Sequence, residues 1–364
     1  MSHQENAPLS ITPGAIRFNT DSMKLEYFRI GMEGGSTSSY AGIGTLAAGE
    51  WVQITTDSPD IQTGGTRGCF CGGQNEPTPT IFDIIDFIQI ETTANAQDFG
   101  DLSSIEQEGG ALGGHVRGYF FGGDPAETAI ETFVFGNTAG DPAGGQTATS
   151  YGSLTVNSKT GCGSGNRTRG VIFIGDSGGG SEVMNYITLT TTGSGVDFGN
   201  STLNPHGLIS ACGSPTRALV SGGSNKTAIS YVTISTLGNT SDFGDMTTSK
   251  NGHSSASNAI RGIFSGGSTP TTGQNVIDYI TISTLGNAVD FGDLTRATRN
   301  GTAVSSPTRY VHAGGTDNTA ASGPMSNTMD YIQIMTTGNA IDFGDLTQGR
   351  RHLRGCSNGN GGVG

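Results

Sequence analysis

The chain has 364 residues, a formal net charge of −13 and only 18 basic residues, spread thinly along it. Glycine fills 61 positions, well above the average near 7%, while apolar residues make up 33% and charged residues 13%. Without a basic stripe the chain does not read as a nucleic-acid binder, and no apolar run approaches the roughly 18 residues of a spanning helix.

The opening segment, MSHQENAPLSITPG, lacks the basic end and apolar core of a secretory signal, so synthesis in a reducing cytoplasm is expected. Five cysteines, an odd number with no CxxC, agree with that and argue against a disulfide framework. GAIRFNT at 14–20 and KLEYFRI at 24–30 alternate apolar and polar residues around an Asp-Ser turn and predict a β-hairpin. EWVQITT at 50–56 carries the single tryptophan. Residues 1–60 are thus expected to form a small β-module, followed by a second domain over 61–364.

From residue 66 onward the sequence repeats itself. DFIQIETTANAQDFGDLS at 86–103 returns as NYITLTTTGSGVDFGNST at 185–202 and SYVTISTLGNTSDFGDMT at 230–247. Further copies are DYITISTLGNAVDFGDLT at 278–295 and DYIQIMTTGNAIDFGDLT at 330–347, with a degraded copy from Glu131 through 150–155. One aromatic column reads Phe87, Phe133, Tyr186, Tyr231, Tyr279 and Tyr331; a second reads Phe99, Tyr151, Phe198, Phe243, Phe291 and Phe343. Spacings of 45 to 53 residues suit a propeller blade of four short strands.

A second phrase alternates with the first, in the form TRGCFCGG at 66–73 and TRYVHAGG at 308–315. It places an arginine before a short apolar strand in every copy: Arg67, Arg117, Arg169, Arg217, Arg261 and Arg309. Each strand ends on glycine, at Gly72, Gly122, Gly222, Gly266 and Gly314 in the Gly-Gly copies, where positive φ or converging backbones require it. The chain ends on RRHLRGCSNGNGG, which matches the strand preceding each such phrase, while the orphan phrase stands at 66–73. Residues 350–358 are therefore expected to pair with 66–73 and complete a sixth blade from both ends, leaving no open sheet edge. The predicted fold is all-β: a six-bladed propeller closed by its N- and C-terminal strands.

Four pairs of carboxylates recur in DFGD, at Asp98/Asp101, Asp242/Asp245, Asp290/Asp293 and Asp342/Asp345. The expected role is acceptance of backbone N–H groups in a turn; Ca²⁺ ligation is the weaker alternative. The six arginines are expected to pair with carboxylates of their own or the next blade, and less readily to bind an anionic partner. Cys162, Cys212 and Cys356 align with Leu112, Ala256 and Val304 as small apolar packing positions. A disulfide from Cys356 to Cys69 or Cys71 is left open. No catalytic, cofactor or metal residue is assigned, because the repeated acids are equivalent from blade to blade whereas a catalytic centre is normally asymmetric. A non-enzyme without a cofactor is expected.

Apolar strand, Gly-Gly, variable loop, aromatic strand and a strand with a second aromatic resembles the kelch repeat over about residues 66–360, with Phe or Tyr where kelch blades usually carry Trp. The segment GAIRFNTDSMKLEYF…GEWVQI resembles a short β-module of bacteriophage fibre and virion proteins. The DYI…GNA.DFGDLT repeat resembles repeats in structural proteins of marine, cyanobacterial phages. These resemblances imply a virion structural protein, either a tail fibre or appendage or a capsid decoration. Residues 1–60 would contact other virion proteins within a homo- or hetero-oligomeric assembly, with host-surface glycans as candidate ligands and no membrane insertion. Loops 124–149 and 268–276, the most unequal between blades, are the candidate binding face. The alternative is a soluble lectin-like or protein-interaction propeller outside any virion.

Overall fold

The structure is a computed structural model. It describes residues 15–19, 24–30, 49–53, 65–76, 80–136, 146–175, 180–203, 208–223, 226–269, 272–317 and 323–362. The chain divides into two compact units, residues 1–59 and 60–364. The first contains a three-stranded antiparallel sheet of Ile16–Asn19, Lys24–Ile30 and Gly49–Gln53. Its register sets Phe18 opposite Leu25 and Phe28 opposite Trp51.

The second unit is a six-bladed β-propeller, each blade built on four antiparallel strands; Gln146–Thr147 adds a parallel strand at the rim of blade 1, and Ser268–Thr269 and Thr316–Asp317 add antiparallel ones to blade 5. Strands are counted here from the axis outward. Blade 1 consists of Arg354–Ser357, Arg67–Cys71, Ile84–Gln89 and Gln97–Asp101. Blade 2 consists of Gly110–Gly113, Arg117–Phe121, Glu127–Val134 and Thr149–Ser158. Blade 3 consists of Cys162–Gly165, Arg169–Phe173, Val183–Thr188 and Val196–Asn200. Blade 4 consists of Ile209–Gly213, Arg217–Gly222, Ala228–Thr233 and Ser241–Asp245. Blade 5 consists of Ser254–Ser257, Arg261–Ser265, Thr272–Thr281 and Val289–Arg299. Blade 6 consists of Thr302–Ser305, Arg309–Ala313, Thr328–Gln333 and Ile341–Asp345.

The residue types follow from each strand's place. First strands crowd the axis and use Gly, Ala, Ser and Cys, as in CGSG and SSAS. Second strands have a neighbouring blade on both faces, so they read as continuous apolar runs; Val171, Ile172 and Phe173 are all fully buried. Burying such a side chain contributes about 1.5–3 kcal/mol. Fourth strands form the rim and bury mainly their central aromatic, as in VDFGN and SDFGD. The core therefore lies between blades. One cluster joins Cys69, Phe87 and Phe99 of blade 1 to Ala111, Phe120 and Phe133 of blade 2.

Blade 1 is built from both ends of this second unit. Arg354 lies opposite Cys71, Gly355 opposite Phe70, Cys356 opposite Cys69 and Ser357 opposite Gly68. Gln74 and Arg351 extend the contact through reciprocal backbone hydrogen bonds of 2.9 Å.

Two alignments made from the sequence need correction. Arg67 pairs with Gln89 and Arg117 with Val134, so Thr132, not Phe133, stands level with Phe87. The third strand of blade 2 is therefore one residue out of phase with the sequence alignment. Phe133 turns instead toward blade 1 and meets Phe99 at 5.6 Å, while Tyr119 and Tyr151 form the edge-to-face pair within blade 2 at 5.1 Å. Likewise Cys162 lies opposite Phe173, whereas Ser164, opposite Val171, occupies the position of Cys212 and Cys356. The inner strand of blade 3 thus starts two residues later than the alignment placed it. All five thiols are free and buried.

Candidate functional site

The six arginines begin the second strands. Five guanidiniums stack on the aromatic of the neighbouring third strand: Arg67 on Phe87, Arg169 on Tyr186, Arg217 on Tyr231, Arg261 on Tyr279 and Arg309 on Tyr331, at 4.5–4.9 Å. From there Nη1 reaches the following blade. Arg169 donates to the Ile234 carbonyl at 2.9 Å, Arg217 to Ile282 at 2.7 Å and Arg261 to Ile334 at 3.0 Å. Arg67 donates to Phe135, and Arg309 to Ile90 at 3.3 Å. Carboxylate pairing, expected from the sequence, is thus replaced by a ring and a carbonyl at Arg169, Arg217 and Arg261; Arg309 also approaches Glu91, at 3.8 Å. Blade 2 solves the same problem differently: beside Arg117, the Tyr119 hydroxyl donates to the equivalent carbonyl, Leu189, at 2.7 Å.

DFGD lies in the rim strand, not in a turn. Its glycines have φ of 150° at Gly100, 144° at Gly244, 146° at Gly292 and 142° at Gly344. A Cβ at Gly244 would sit 2.4 Å from the Gly286 carbonyl oxygen of blade 5. The glycine therefore admits the neighbouring blade's turn. The asparagine of that turn accepts from the last Asp N–H: Asn287 from Asp245, Asn339 from Asp293 and Asn95 from Asp345, each at 3.1 Å. Among the described residues no group of three or more His, Cys, Asp or Glu is placed to hold a metal ion. Gly72, Gly122, Gly222, Gly266 and Gly314 all have positive φ, between 60° and 75°.

A further latch links the blades. The hydroxyl four residues past the rim-strand aromatic donates to a carboxylate or amide of the next blade's third strand. Thr247 donates to Asp278 at 2.6 Å, Thr295 to Asp330 and Thr347 to Asp86 at 2.7 Å, and Thr155 to Asn185 at 3.0 Å. Buried cations join three of these carboxylates: Lys250 with Asp278 at 3.1 Å, Arg350 with Asp86 at 2.7 Å and Arg296 with Asp330 at 4.0 Å. Burial pushes the Asp86 carboxyl up and the Arg350 guanidinium down, and each offsets the cost of burying the other. The sequence reading missed these pairs. Their signal was a Lys or Arg past the last Asp of DFGD, five residues on at Lys250 and Arg350 and three at Arg296, together with an Asp before the tyrosine or phenylalanine.

Blades 1 and 2 break the symmetry. Glu106 occupies the Arg350/Lys250 position, and burial, then the negative Glu127, push its carboxyl up to about 7. Glu108, at φ 54°, has an oxygen 2.8 Å from His352 Nδ1 and pairs with Lys159 at 3.3 Å. Burial opposes its ionisation, but His352 and Lys159 beside it hold its carboxyl down at about 2. His253 and His312 are buried in other blades and held neutral, down at about 3, chiefly by desolvation.

Along the axis, first strands are linked through serines. Ser257 Oγ donates to Gly213 at 2.6 Å, Ser305 to Ser257 at 2.8 Å and Ser357 to Ser305 at 2.7 Å. The C-terminal turn Asn360–Gly362 caps this end of the channel. Asn360 Oδ1 accepts from the Ser257 N–H at 3.0 Å and from the Ser305 hydroxyl at 3.3 Å. Toward the other end the lining includes Arg354, Ser254, Thr302 and Ser210. Of the two unequal loops, residues 137–145 and 270–271 lie outside the described residues; Ser268–Thr269 folds back on Thr272–Thr281.

No family model matches the sequence, and no curated protein matches it. Among solved structures, the fold is similar to that of YjhT, a propeller, with a TM-score of 0.54 and 15% identity, covering 69% of this chain and 87% of that one. That likeness supports the six-bladed propeller as the chain's fold.

Proposed function

We propose that this protein is a structural component of a bacteriophage virion, with kelch-like blades forming a rigid display platform rather than an enzyme. The observation that carries the structural reading is how the repeated polar side chains are engaged. The arginines, the latch threonines and the buried Lys–Asp and Arg–Asp pairs hold blade to blade. Support for the virion comes from the rim-strand repeat and the segment over residues 14–54, both resembling phage structural proteins. In this reading residues 1–60 contact other virion proteins, as part of an oligomeric assembly. Loops of the propeller meet a host-surface glycan as tail appendage, or the particle surface as capsid decoration.

Purified particles labelled with an antibody against residues 66–364 and viewed by electron microscopy test this. Label on the tail supports a host-contact appendage; label over the head supports decoration. Unlabelled particles with the protein free in the lysate would overturn the virion assignment in favour of a soluble lectin-like or protein-interaction propeller.

A further inference from the structure

We propose that the axial channel binds one small oxyanion, a carboxylate or a phosphate, through Arg354 with Thr302 and Ser254. The strand registers bring these residues together. Arg354, Ser210, Ser254 and Thr302 each stand opposite the fifth residue of a second strand, so they ring the channel at one level. Asn360 closes the channel at the opposite end of these strands.

Arg354, half-buried, differs from the cations of the ion pairs. Arg350, Lys250 and Arg296 each have an aspartate, at 2.7, 3.1 and 4.0 Å. Arg354 is anchored by a single hydrogen bond, Nε to the Gly109 carbonyl at 2.6 Å, and Nη2 is sealed from solvent with no partner. Among the described residues no carboxylate lies within ion-pair distance of it. The nearby Glu108 carboxylate is already engaged by His352 and Lys159. Burial lowers the guanidinium's proton affinity, so the site bears a desolvation cost that an anion would offset.

The rest of the ring supplies donors. Thr302 Oγ1 accepts from the Gly355 N–H at 2.7 Å, which leaves its own proton to give. Ser254 Oγ is buried without a partner. The cavity measures ≈ 40 Å³, against roughly 10–15 Å³ for a single water on the same measure. An arginine fork beside two hydroxyls matches the planar or tetrahedral oxygens of a carboxylate or phosphate. This inference does not depend on the virion reading.

The test uses the full chain at fixed ionic strength in chloride, acetate or inorganic phosphate, with thermal unfolding and titration calorimetry. Acetate or phosphate should raise the melting temperature saturably above the chloride value, and Arg354→Gln should abolish the shift. A response to acetate alone identifies a carboxylate site, and a response to phosphate alone a phosphate site. The double variant Ser254→Ala/Thr302→Val keeps the Arg354 anchor and should weaken binding at least tenfold, which decides the matter if Arg354→Gln does not fold. Equal melting in all three salts overturns the proposal. So does an unchanged affinity in the double variant.

Discussion

Replacing Glu106 with glutamine should stabilise the propeller at alkaline pH. Glu106 is only 7% exposed, and it fills the position that Arg350 and Lys250 hold elsewhere. Its surroundings are acidic: Glu127, Glu131 and Asp124 all raise its carboxyl, against one opposing hydrogen bond from Ser104 at 3.1 Å. The carboxyl moves from 4.5 in the unfolded chain to about 7 when folded. Ionising it in place therefore costs about 3 kcal/mol at most, and side-chain relaxation toward water brings the expected figure to about 1–3 kcal/mol. The sign follows from proton binding. Between these two values the folded protein keeps a proton that the unfolded chain has released. The contribution is thus fully present below 4.5 and is lost as pH rises through 7. Glutamine mimics the neutral acid. Urea unfolding by circular dichroism should show E106Q close to the wild type at pH 4.5 and more stable by about 1–3 kcal/mol at pH 8. Titration of His253 and His312 is common to both proteins and cancels in the difference. A gap between the two proteins that does not change with pH would refute the reasoning.

Three further outcomes follow from the blade contacts. Arg217→Met removes both the stack on Tyr231 and the bond to Ile282, and should cost about 1–3 kcal/mol in urea unfolding. Gly244→Ala places a methyl 2.4 Å from the Gly286 carbonyl oxygen at φ 144°, so its melting temperature should fall by several degrees, corresponding to at least about 2 kcal/mol. Lys250→Met leaves Asp278 buried and unpaired, and should cost about 3–5 kcal/mol. Adding Asp278→Asn should restore much of that loss, and a double-mutant cycle without coupling would remove the ion pair from the account.

The propeller was legible because its constraints are local and recur. An apolar strand buried on both faces, a glycine with positive φ at its end and an aromatic in the rim strand each leave a fixed mark per blade. Closure was legible for a related reason: a strand missing from one end of the repeat appeared alone at the other. Blade 2 was misread at its third strand because aromatic identity was weighed above register. Phe133 supplies an aromatic, but its backbone position is that of Ile88, and Thr132 stands level with Phe87. Sequence similarity cannot detect such a slip when both neighbouring residues suit a strand.

The polar contacts were harder to read, for a physical reason. A guanidinium in a sequence has many acceptors open to it, and carboxylates are the stronger ones in isolation. Inside a propeller the carbonyl that ends the next third strand is already aimed at the arginine, and the aromatic ring lies beneath it. Preorganised neutral acceptors therefore win over a carboxylate that would itself have to be desolvated. Where carboxylates are buried, at Asp86, Asp278 and Asp330, each has a cation and a threonine hydroxyl to compensate it. Arg354 departs from that rule. Its half-buried guanidinium has one carbonyl and no carboxylate, at the level of the channel where three hydroxyl-bearing residues stand. The repeat gave no warning of it, because the equivalent positions hold Gly110, Cys162, Ser210, Ser254 and Thr302. An arginine whose single bond, to the Gly109 carbonyl, leaves its charge without a carboxylate is a departure from symmetry of the kind a binding site requires.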